Sequence, residues 1–301
     1  MSDLADLFEG FASQWVSTEA GRIFARVGGS GPPLALLHGF PETMAMWHAL
    51  APTLARSCTV VAMDLRGYGW SSAPRSSGGD AYSKRRMGED VVAVMERLGH
   101  ARFALAGHDR GARVGYRLAL DHPGRLSALA LLDILPTLEV WRRMARDSVQ
   151  SPHWRTLAAP EPGPEQAIAA DLDGTFEGWL TKWAGGPLAG FDPRALAHYR
   201  AAWGDPSRIH AMCEDYRAGA TLDREADEAD LAAGRTIACP TLVLASTGYL
   251  GGGETALDCW RRLFAPGAVG AVVESGHFLA EQAPVAVLDA LLPFLAAHAT
   301  S

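Results

Sequence analysis

The chain has 301 residues, of which 48% are hydrophobic and 20% charged, and its formal net charge is −7. This composition is ordinary for a globular protein and suits one large domain or a core with an inserted subdomain. Nucleic-acid binding needs clusters of Lys and Arg that replace counterions, and no long run of either occurs. The charge balance therefore disfavours a nucleic-acid partner, but a small anion could still bind in a locally positive pocket.

The cysteines and the first residues indicate a compartment. Cys58, Cys213, Cys239 and Cys259 form no C-x-x-C pair, which is typical of a reduced cytosolic chain without a structural metal site. The start, "MSDLADLFEGFASQW", is acidic and does not have the pattern of a signal peptide. No apolar run is long enough to span a bilayer. We therefore expect a cytoplasmic protein with no membrane partner.

Strand-like and helix-like segments alternate along both ends of the chain. Short apolar runs that predict buried strands include "PLALLHGF", "CTVVAMDLRGYG", "RFALAGHD", "LSALALLDIL", "PTLVLAST" and "AVGAVVESG". Helical patterns between and after them include "MWHALAPTLA", "SKRRMGEDVVAVMERLGH", "RGARVGYRLALDHPGR", "TALDCWRRLF" and "PVAVLDALLPFLAAH". This alternation predicts an α/β fold with a mostly parallel sheet that helices cover on both faces.

The rhythm stops after the predicted strand "LSALALLDIL". Residues 137–233 contain no clear buried strand but several helical stretches, such as "EVWRRMARDSV", "FEGWLTKWA" and "DPRALAHYRAAW". We predict a helical cap over 137–233, inserted into a core formed by 1–136 and 234–301. Ligands of such sheets bind at the carboxyl ends of the strands, so a cap there would close the site and exclude water.

The stretch "LAGHDRGARVGY" has the pattern of a nucleophile elbow, a tight turn between a strand and a helix. Gly107 and Gly111 allow the strand and helix backbones to approach closely. Asp109 occupies the position of the nucleophile. The alternative is an Asp that only caps the helix by accepting a backbone N–H.

Two further residues follow in the order that this elbow requires. Asp133 ends the strand after the elbow helix, and His277 follows the last predicted strand. A carboxylate there can orient the imidazole and stabilise imidazolium, so the pair predicts an acid and a general base. The alternatives are a loop-capping Asp and a surface His; Glu254 is the other candidate acid. The order nucleophile, acid, base is that of α/β-hydrolases.

The stretch "LLHGFPET" follows a predicted strand where such enzymes place an oxyanion-hole amide. The backbone N–H groups of Phe40 and Arg110 are the predicted donors. His38 is expected to orient this loop rather than to perform chemistry.

An aspartate nucleophile favours displacement at saturated carbon, because attack on an acyl group would give an anhydride. Carbon–halogen bonds and epoxides are the two plausible substrate classes. Arg110 and Arg113 lie one helical turn apart, and guanidinium pairs bind carboxylates. They favour a substrate that carries its own carboxylate, unless they instead pair with cap acids such as Glu214 or Asp215.

The predicted cap offers three donors for a departing halide. These are His153 and Trp154 in "SPHWRTL" and the Tyr216 hydroxyl in "CEDYRAG". Fixed donors stabilise the charge that develops on a leaving atom. Taken singly, each aromatic ring is as well explained by packing.

The chain resembles fluoroacetate (haloacetate) dehalogenases of the α/β-hydrolase superfamily. The resemblance is carried by "HGFPET", "GYGWS", "LAGHDRGARVGYRLALDHPGRLSALALLDILPT", "HWRTL", "MCEDYRAGA" and "ESGHF". It implies a nucleophile at Asp109, a carboxylate clamp of Arg110 and Arg113, and a pocket bordered by Trp183 in "LTKWAGG". It also implies a homodimer that uses no cofactor and no metal. Ala245 stands where the relatives tend to carry Trp.

The expected reaction converts a short 2-haloacid, such as haloacetate, to glycolate and halide. One alternative is an epoxide hydrolase of the same fold, in which Tyr199 and Tyr216 would protonate the epoxide oxygen. The other is a non-catalytic carboxylate-binding protein that keeps the elbow as a scaffold.

Overall fold

The computed structural model describes residues 4–146, 151–247 and 254–299, and in them eight strands form one sheet. The order across the sheet is β1-β2-β4-β3-β5-β6-β7-β8. Strands β3 to β8 are parallel, whereas β1 and β2 are antiparallel. The strands are Ala12–Thr18, Gly21–Gly28, Pro33–Leu37, Thr59–Met63, Phe103–His108, Leu126–Leu132, Thr241–Ser246 and Val269–Val273.

The helices follow the predicted alternation. Outside the region between β6 and β7 they are α1 Ala51–Leu54, α2 Lys84–Arg97, α3 Asp109–Asp121, α11 Ala256–Leu263, α12 Leu279–Gln282 and α13 Pro284–His298. The stretch "MWHALAPTLA" forms a 3-10 turn and the short α1 rather than one helix. Each residue of β3, β5 and β6 is buried, because helices cover both faces of the sheet centre.

The described residues between β6 and β7 form helices joined by loops and include no strand. Its helices are α4 Thr137–Ala145, α5 Pro152–Leu157, α6 Gly163–Ala170, α7 Leu172–Ala184, α8 Pro193–Trp203, α9 Pro206–Ala220 and α10 Leu222–Ala232. The predicted helix "EVWRRMARDSV" is described as far as 146, and 147–150 lie outside the described residues. Most of the Gly-rich stretch 247–254 also lies outside them. The exact cap boundaries stay a prediction.

Two features of the sheet are its unpredicted antiparallel strands and the edge at which its parallel strands end. The pattern does not predict β1 and β2, because β1 is largely exposed and has no buried apolar run. The carboxyl ends of β3, β5, β6 and β7 lie side by side, so the residues that follow them meet at one edge. Within the described residues, no helix combines the length and the apolar character needed to cross a membrane.

Candidate active site

Asp109 lies at the junction of β5 and α3 with a positive φ of 41°. A non-glycine residue adopts this conformation only where its surroundings impose it, which is the geometry of a nucleophile elbow. The neighbouring chain approaches very closely. A Cβ on Gly39 would lie 2.7 Å from the Asp109 Cβ, and one on Gly111 would lie 2.4 Å from the Leu37 carbonyl oxygen. These two glycines therefore allow the elbow to form.

The Asp109 carboxylate is buried among donors and positive charges. Its Oδ1 accepts the Phe40 backbone N–H at 3.1 Å. Burial alone would raise the pKa of Asp109, but the positive charge of Arg110, with a smaller share from Arg113, outweighs it and holds that pKa well below its usual range. The side chain is therefore an ionised carboxylate at neutral pH, as a nucleophile must be.

Asp133 and His277 meet at the same edge of the sheet. The His277 Nδ1 lies 2.7 Å from Asp133 Oδ2. The carboxylate also accepts the Ser246 backbone N–H at 2.7 Å and its hydroxyl at 3.1 Å. A proton on Nδ1 makes Nε2 the basic nitrogen of the ring. The rival acid, Glu254, instead pairs with Arg143 and Arg262.

Backbone contacts fix the two histidine-bearing loops. The His277 N–H donates to the Trp183 carbonyl at 2.9 Å, and the His277 carbonyl oxygen lies 2.8 Å from His108 Nε2. His38 accepts the Leu65 N–H at 3.0 Å, and burial lowers its pKa to about 4. His38 is therefore neutral and bridges two loops, and its orienting role stays a prediction.

The two arginines are both buried but have different partners. Arg113 Nη1 donates to the Leu135 carbonyl at 3.0 Å and to the Thr137 hydroxyl at 3.1 Å. Among the described residues, the three side-chain nitrogens of Arg110 have no hydrogen-bond partner, although Nη1 lies 3.4 Å from Asp215 Oδ1. The alternative of an ion pair with a cap acid thus applies to Arg110, with Asp215 as its partner.

Aromatic rings of the cap pack against these cations. The Arg110 Cζ lies 3.5 Å from the centroid of the Tyr216 ring and 5.0 Å from that of Trp154, and Arg113 lies 4.5 Å from Trp154. Such cation–π contacts are worth about 0.5–2 kcal/mol each. Nothing in the local sequence indicates these contacts, which give Trp154 a packing partner in addition to its predicted hydrogen-bond donation.

The three predicted halide donors lie together. The ring of Tyr216 is 5.7 Å from that of His153 and 6.0 Å from that of Trp154, and Trp183 is 4.5 Å from His153. Burial lowers the pKa of His153 to about 3 and raises that of the Tyr216 hydroxyl. Both are therefore neutral at pH 7, and each still carries one proton to donate.

Tyr199 does not join this group. Its hydroxyl donates to Glu281 Oε1 at 3.0 Å, and its ring packs near Trp203. The epoxide-hydrolase alternative needs two tyrosine hydroxyls directed at one substrate oxygen. The bond to Glu281 disfavours Tyr199 for that role.

Other contacts at the site were not predicted. Four residues contact the predicted site residues or the partners of those residues: His108, Ser246, Tyr68 and Lys84. His108 directly precedes the nucleophile and Ser246 ends β7, so position at a strand end could have indicated both. Nothing in the local sequence indicates Tyr68 or Lys84.

Two groups of potential metal ligands occur among the described residues, and the only candidate site residue in them is Glu254, the alternative acid. They are Glu139, Glu254 and Cys259, and Glu161, Glu165 and His210. Their carboxylates are already paired with arginines, which compete with a cation.

The chain is similar to known proteins over most of its length. Residues 32–284 match the family described as alpha/beta hydrolase fold. A fluoroacetate dehalogenase from Burkholderia sp. is 47% identical over 81% of this chain and 80% of its own length. A soluble epoxide hydrolase from Corynebacterium sp. is 30% identical over 89% and 91%. A Pseudomonas aeruginosa structure, provisionally described as an epoxide hydrolase, has a TM-score of 0.90 at 43% identity over 98% of each chain. The predicted fold is confirmed.

Proposed function

This chain belongs to the α/β-hydrolase family, and we propose that within it the protein is a hydrolytic dehalogenase of short 2-haloacids. Haloacetate, fluoroacetate included, is the best candidate substrate. Asp109 would be the nucleophile, with His277 as the base and Asp133 as its partner. Arg110 and Arg113 would bind the substrate carboxylate.

One observation carries the proposal. A buried, ionised Asp109 lies beside a guanidinium whose three nitrogens lack hydrogen-bond partners among the described residues. Leaving buried donors unpaired is costly, so Arg110 favours a ligand that supplies acceptors. A carboxylate fits, since its two oxygens match the guanidinium fork. A substrate bound this way places its own α-carbon close to Asp109.

The first step forms an ester on the enzyme. Asp109 Oδ2 attacks the α-carbon as the carbon–halogen bond breaks, and the electron pair leaves with the halide. The halide accepts hydrogen bonds from His153, Trp154 and Tyr216, which stabilise its developing charge. The other oxygen, Oδ1, stays on the Phe40 N–H. Because attack comes from behind the leaving group, a chiral carbon would invert.

The second step hydrolyses this ester. His277 Nε2 takes a proton from water while the water oxygen adds to the Asp109 carboxyl carbon. The resulting oxyanion is the oxygen already bonded to the Phe40 N–H, with the Arg110 N–H as the predicted second donor. Collapse expels the glycolate alkoxide, which takes the proton from His277. The remaining proton on Asp109 is released, so the net products are glycolate, halide and a proton.

Halide release from fluoro-, chloro- and bromoacetate tests the proposal directly. We expect release from the wild-type protein and none from Asp109→Asn, which keeps the shape of the side chain. A single turnover in ¹⁸O-water should label Asp109 before it labels glycolate. No release from any of the three acids would overturn the dehalogenase proposal, and first label in the product would overturn the ester.

Two further measurements, styrene oxide turnover and haloacetate binding, separate the alternatives. Turnover of styrene oxide without halide release would support an epoxide hydrolase, a possibility raised by the Corynebacterium relative. Binding of haloacetate without turnover would support the non-catalytic alternative. The epoxide-hydrolase alternative is disfavoured, because the Tyr199 hydroxyl donates to Glu281.

A further inference from the structure

A buried cluster of charged side chains lies next to Arg110. We name it the Asp215 anchor; it consists of Tyr68, Lys84, Asp215 and Asp223. The Tyr68 hydroxyl donates to Asp215 Oδ2 at 2.8 Å, and the Lys84 ammonium pairs with Asp215 Oδ1. Arg110 Nη1 lies 3.4 Å from that same Oδ1. All of these side chains are buried.

The anchor joins the core to the cap. Lys84 begins α2 of the core, while Asp215 lies in α9 and Asp223 in α10. Asp223 accepts the Lys84 backbone N–H at 2.7 Å, and its other oxygen lies 3.5 Å from the Lys84 ammonium. Removing several charges from water costs several kcal/mol per ion, so a buried ionic cluster is weak evidence for stability alone. Such a cluster suggests a functional reason.

The two arginines of the site differ in their ionic partners. Arg110 forms an ion pair with Asp215, whereas Arg113 takes part in none of the ion pairs of the described residues. Arg113 contacts the neutral Leu135 carbonyl and Thr137 hydroxyl. Asp215 therefore offsets part of the charge of Arg110, whereas Arg113 has no acidic partner of its own among the ion pairs of the described residues. Asp215 also directly precedes Tyr216, whose ring lies 3.5 Å from the Arg110 Cζ.

From this asymmetry we infer that Asp215 is a positioning residue for dehalogenation. It holds the Arg110 guanidinium against Tyr216, and thereby sets the substrate carboxylate so that the α-carbon is in line with Asp109. Arg113 supplies most of the affinity for that carboxylate. The inference rests on the proposed function and assigns the two arginines different shares of it.

The steady-state constants for chloroacetate test this division. Asp215→Asn should lower kcat by about tenfold or more, because a misplaced substrate reacts slowly, while KM stays unchanged or falls. Arg113→Met should instead raise KM by about tenfold or more. Asp230→Asn is the matched control, because Asp230 is a buried cap acid that pairs with Arg117 of α3 and lies outside the anchor; it should change either constant by less than about threefold. A rise in KM for Asp215→Asn equal to that for Arg113→Met would overturn the inference.

A double-mutant cycle separates positioning from a merely structural role. In an Arg110→Ala background, Asp215→Asn should change kcat by less than about twofold, because the group that it positions is gone. An equal loss in both backgrounds would overturn the inference. If Asp215→Asn does not fold, Tyr68→Phe removes one bond to Asp215 and should show the same pattern with a smaller loss.

Chloroacetamide provides a second readout, since it has the same C–Cl bond but no carboxylate. Asp215→Asn should lower the ratio of chloroacetate to chloroacetamide turnover, whereas general damage to the fold would lower both rates together. If the wild-type protein releases no chloride, the proposed function fails. Calorimetric binding of chloroacetate then tests the division between the two arginines separately. Weaker binding in Arg113→Met but not in Asp215→Asn would support that division. Equally weakened binding in both variants would overturn it.

Discussion

The two walls of the site are held in place in different ways. At the sheet edge, directional hydrogen bonds fix the reacting groups: Phe40 to Asp109, and Ser246 and His277 to Asp133. On the cap side, ring packing brings His153 near Trp183 and Tyr216. Hydrogen bonds constrain angle and distance, whereas ring contacts constrain mainly shape. The sheet edge therefore sets the type of reaction, and the cap can vary the leaving group without displacing the nucleophile.

The largest effect should come from the base at the sheet edge. His277→Asn should leave the first step intact and block ester hydrolysis, so halide release would stop after one equivalent. Steady-state turnover should fall by about 10⁴-fold or more. Mass spectrometry should find a carboxymethyl ester on Asp109. His122→Asn, at the far end of α3, is the control and should turn over normally; a full-rate His277 variant would exclude its role as base.

A smaller effect tests how tightly the sheet edge is built. A Cβ on Gly39 would lie 2.7 Å from the Asp109 Cβ and 2.8 Å from His108 Nδ1. Gly39→Ala should therefore shift the nucleophile and lower kcat by about 10²-fold. Overpacking should also reduce the free energy of unfolding by about 1–3 kcal/mol in urea denaturation. Gly178→Ala on α7 has nothing within 4 Å and should be neutral or slightly stabilising. Equal behaviour of the two variants would contradict the comparison.

The same contrast explains how much the sequence could predict. Asp109, Asp133 and His277 follow strands of one parallel sheet, and this topology brings strand ends to a common edge. Local pattern and chain order therefore predict that these three residues lie close together. The pairing of Arg110 with Asp215 joins residues that are distant in sequence through docking of the cap. No local periodicity encodes that contact, and the same applies to Lys84.

The cap also shows why a correct residue type can have more than one function. Trp154 was predicted as a halide donor, yet its ring packs on both Arg110 and Arg113. The exposed strand β1 was not predicted at all, because its sequence has no run of alternating buried apolar residues. The predicted fold is confirmed, and the roles of the site residues stay predictions.

An intermediate effect should come from the hydroxyl of Tyr216 in the cap. Tyr216→Phe keeps the ring on Arg110 but removes one halide donor. Fluoride is the poorest leaving group, so fluoroacetate turnover should fall by about 10²-fold and bromoacetate turnover by about tenfold or less. Tyr199→Phe is the control, because its hydroxyl donates to Glu281. An unchanged fluoride-to-bromide ratio in Tyr216→Phe would show that its hydroxyl does not bind the leaving group.

The smallest effect concerns the pH dependence of His153. Burial lowers the pKa of His153 from its ordinary value of 6.5 to about 3, so the folded protein binds fewer protons than the unfolded chain between these values. Stability therefore falls as pH decreases through that window, and removing the group should remove part of the fall. Between pH 7 and 5, urea denaturation of His153→Asn should show a pH-dependent loss smaller than that of the wild type by about 1–2 kcal/mol. Because His153 stays neutral in the folded protein over this pH range, it does not contribute to the acid limb of the pH profile. The acid limb of kcat for bromoacetate should therefore lie at the same pH in His153→Asn and in the wild type. A shift of that limb would mean that a cap residue titrates during the reaction, and the division between the two walls would then be wrong.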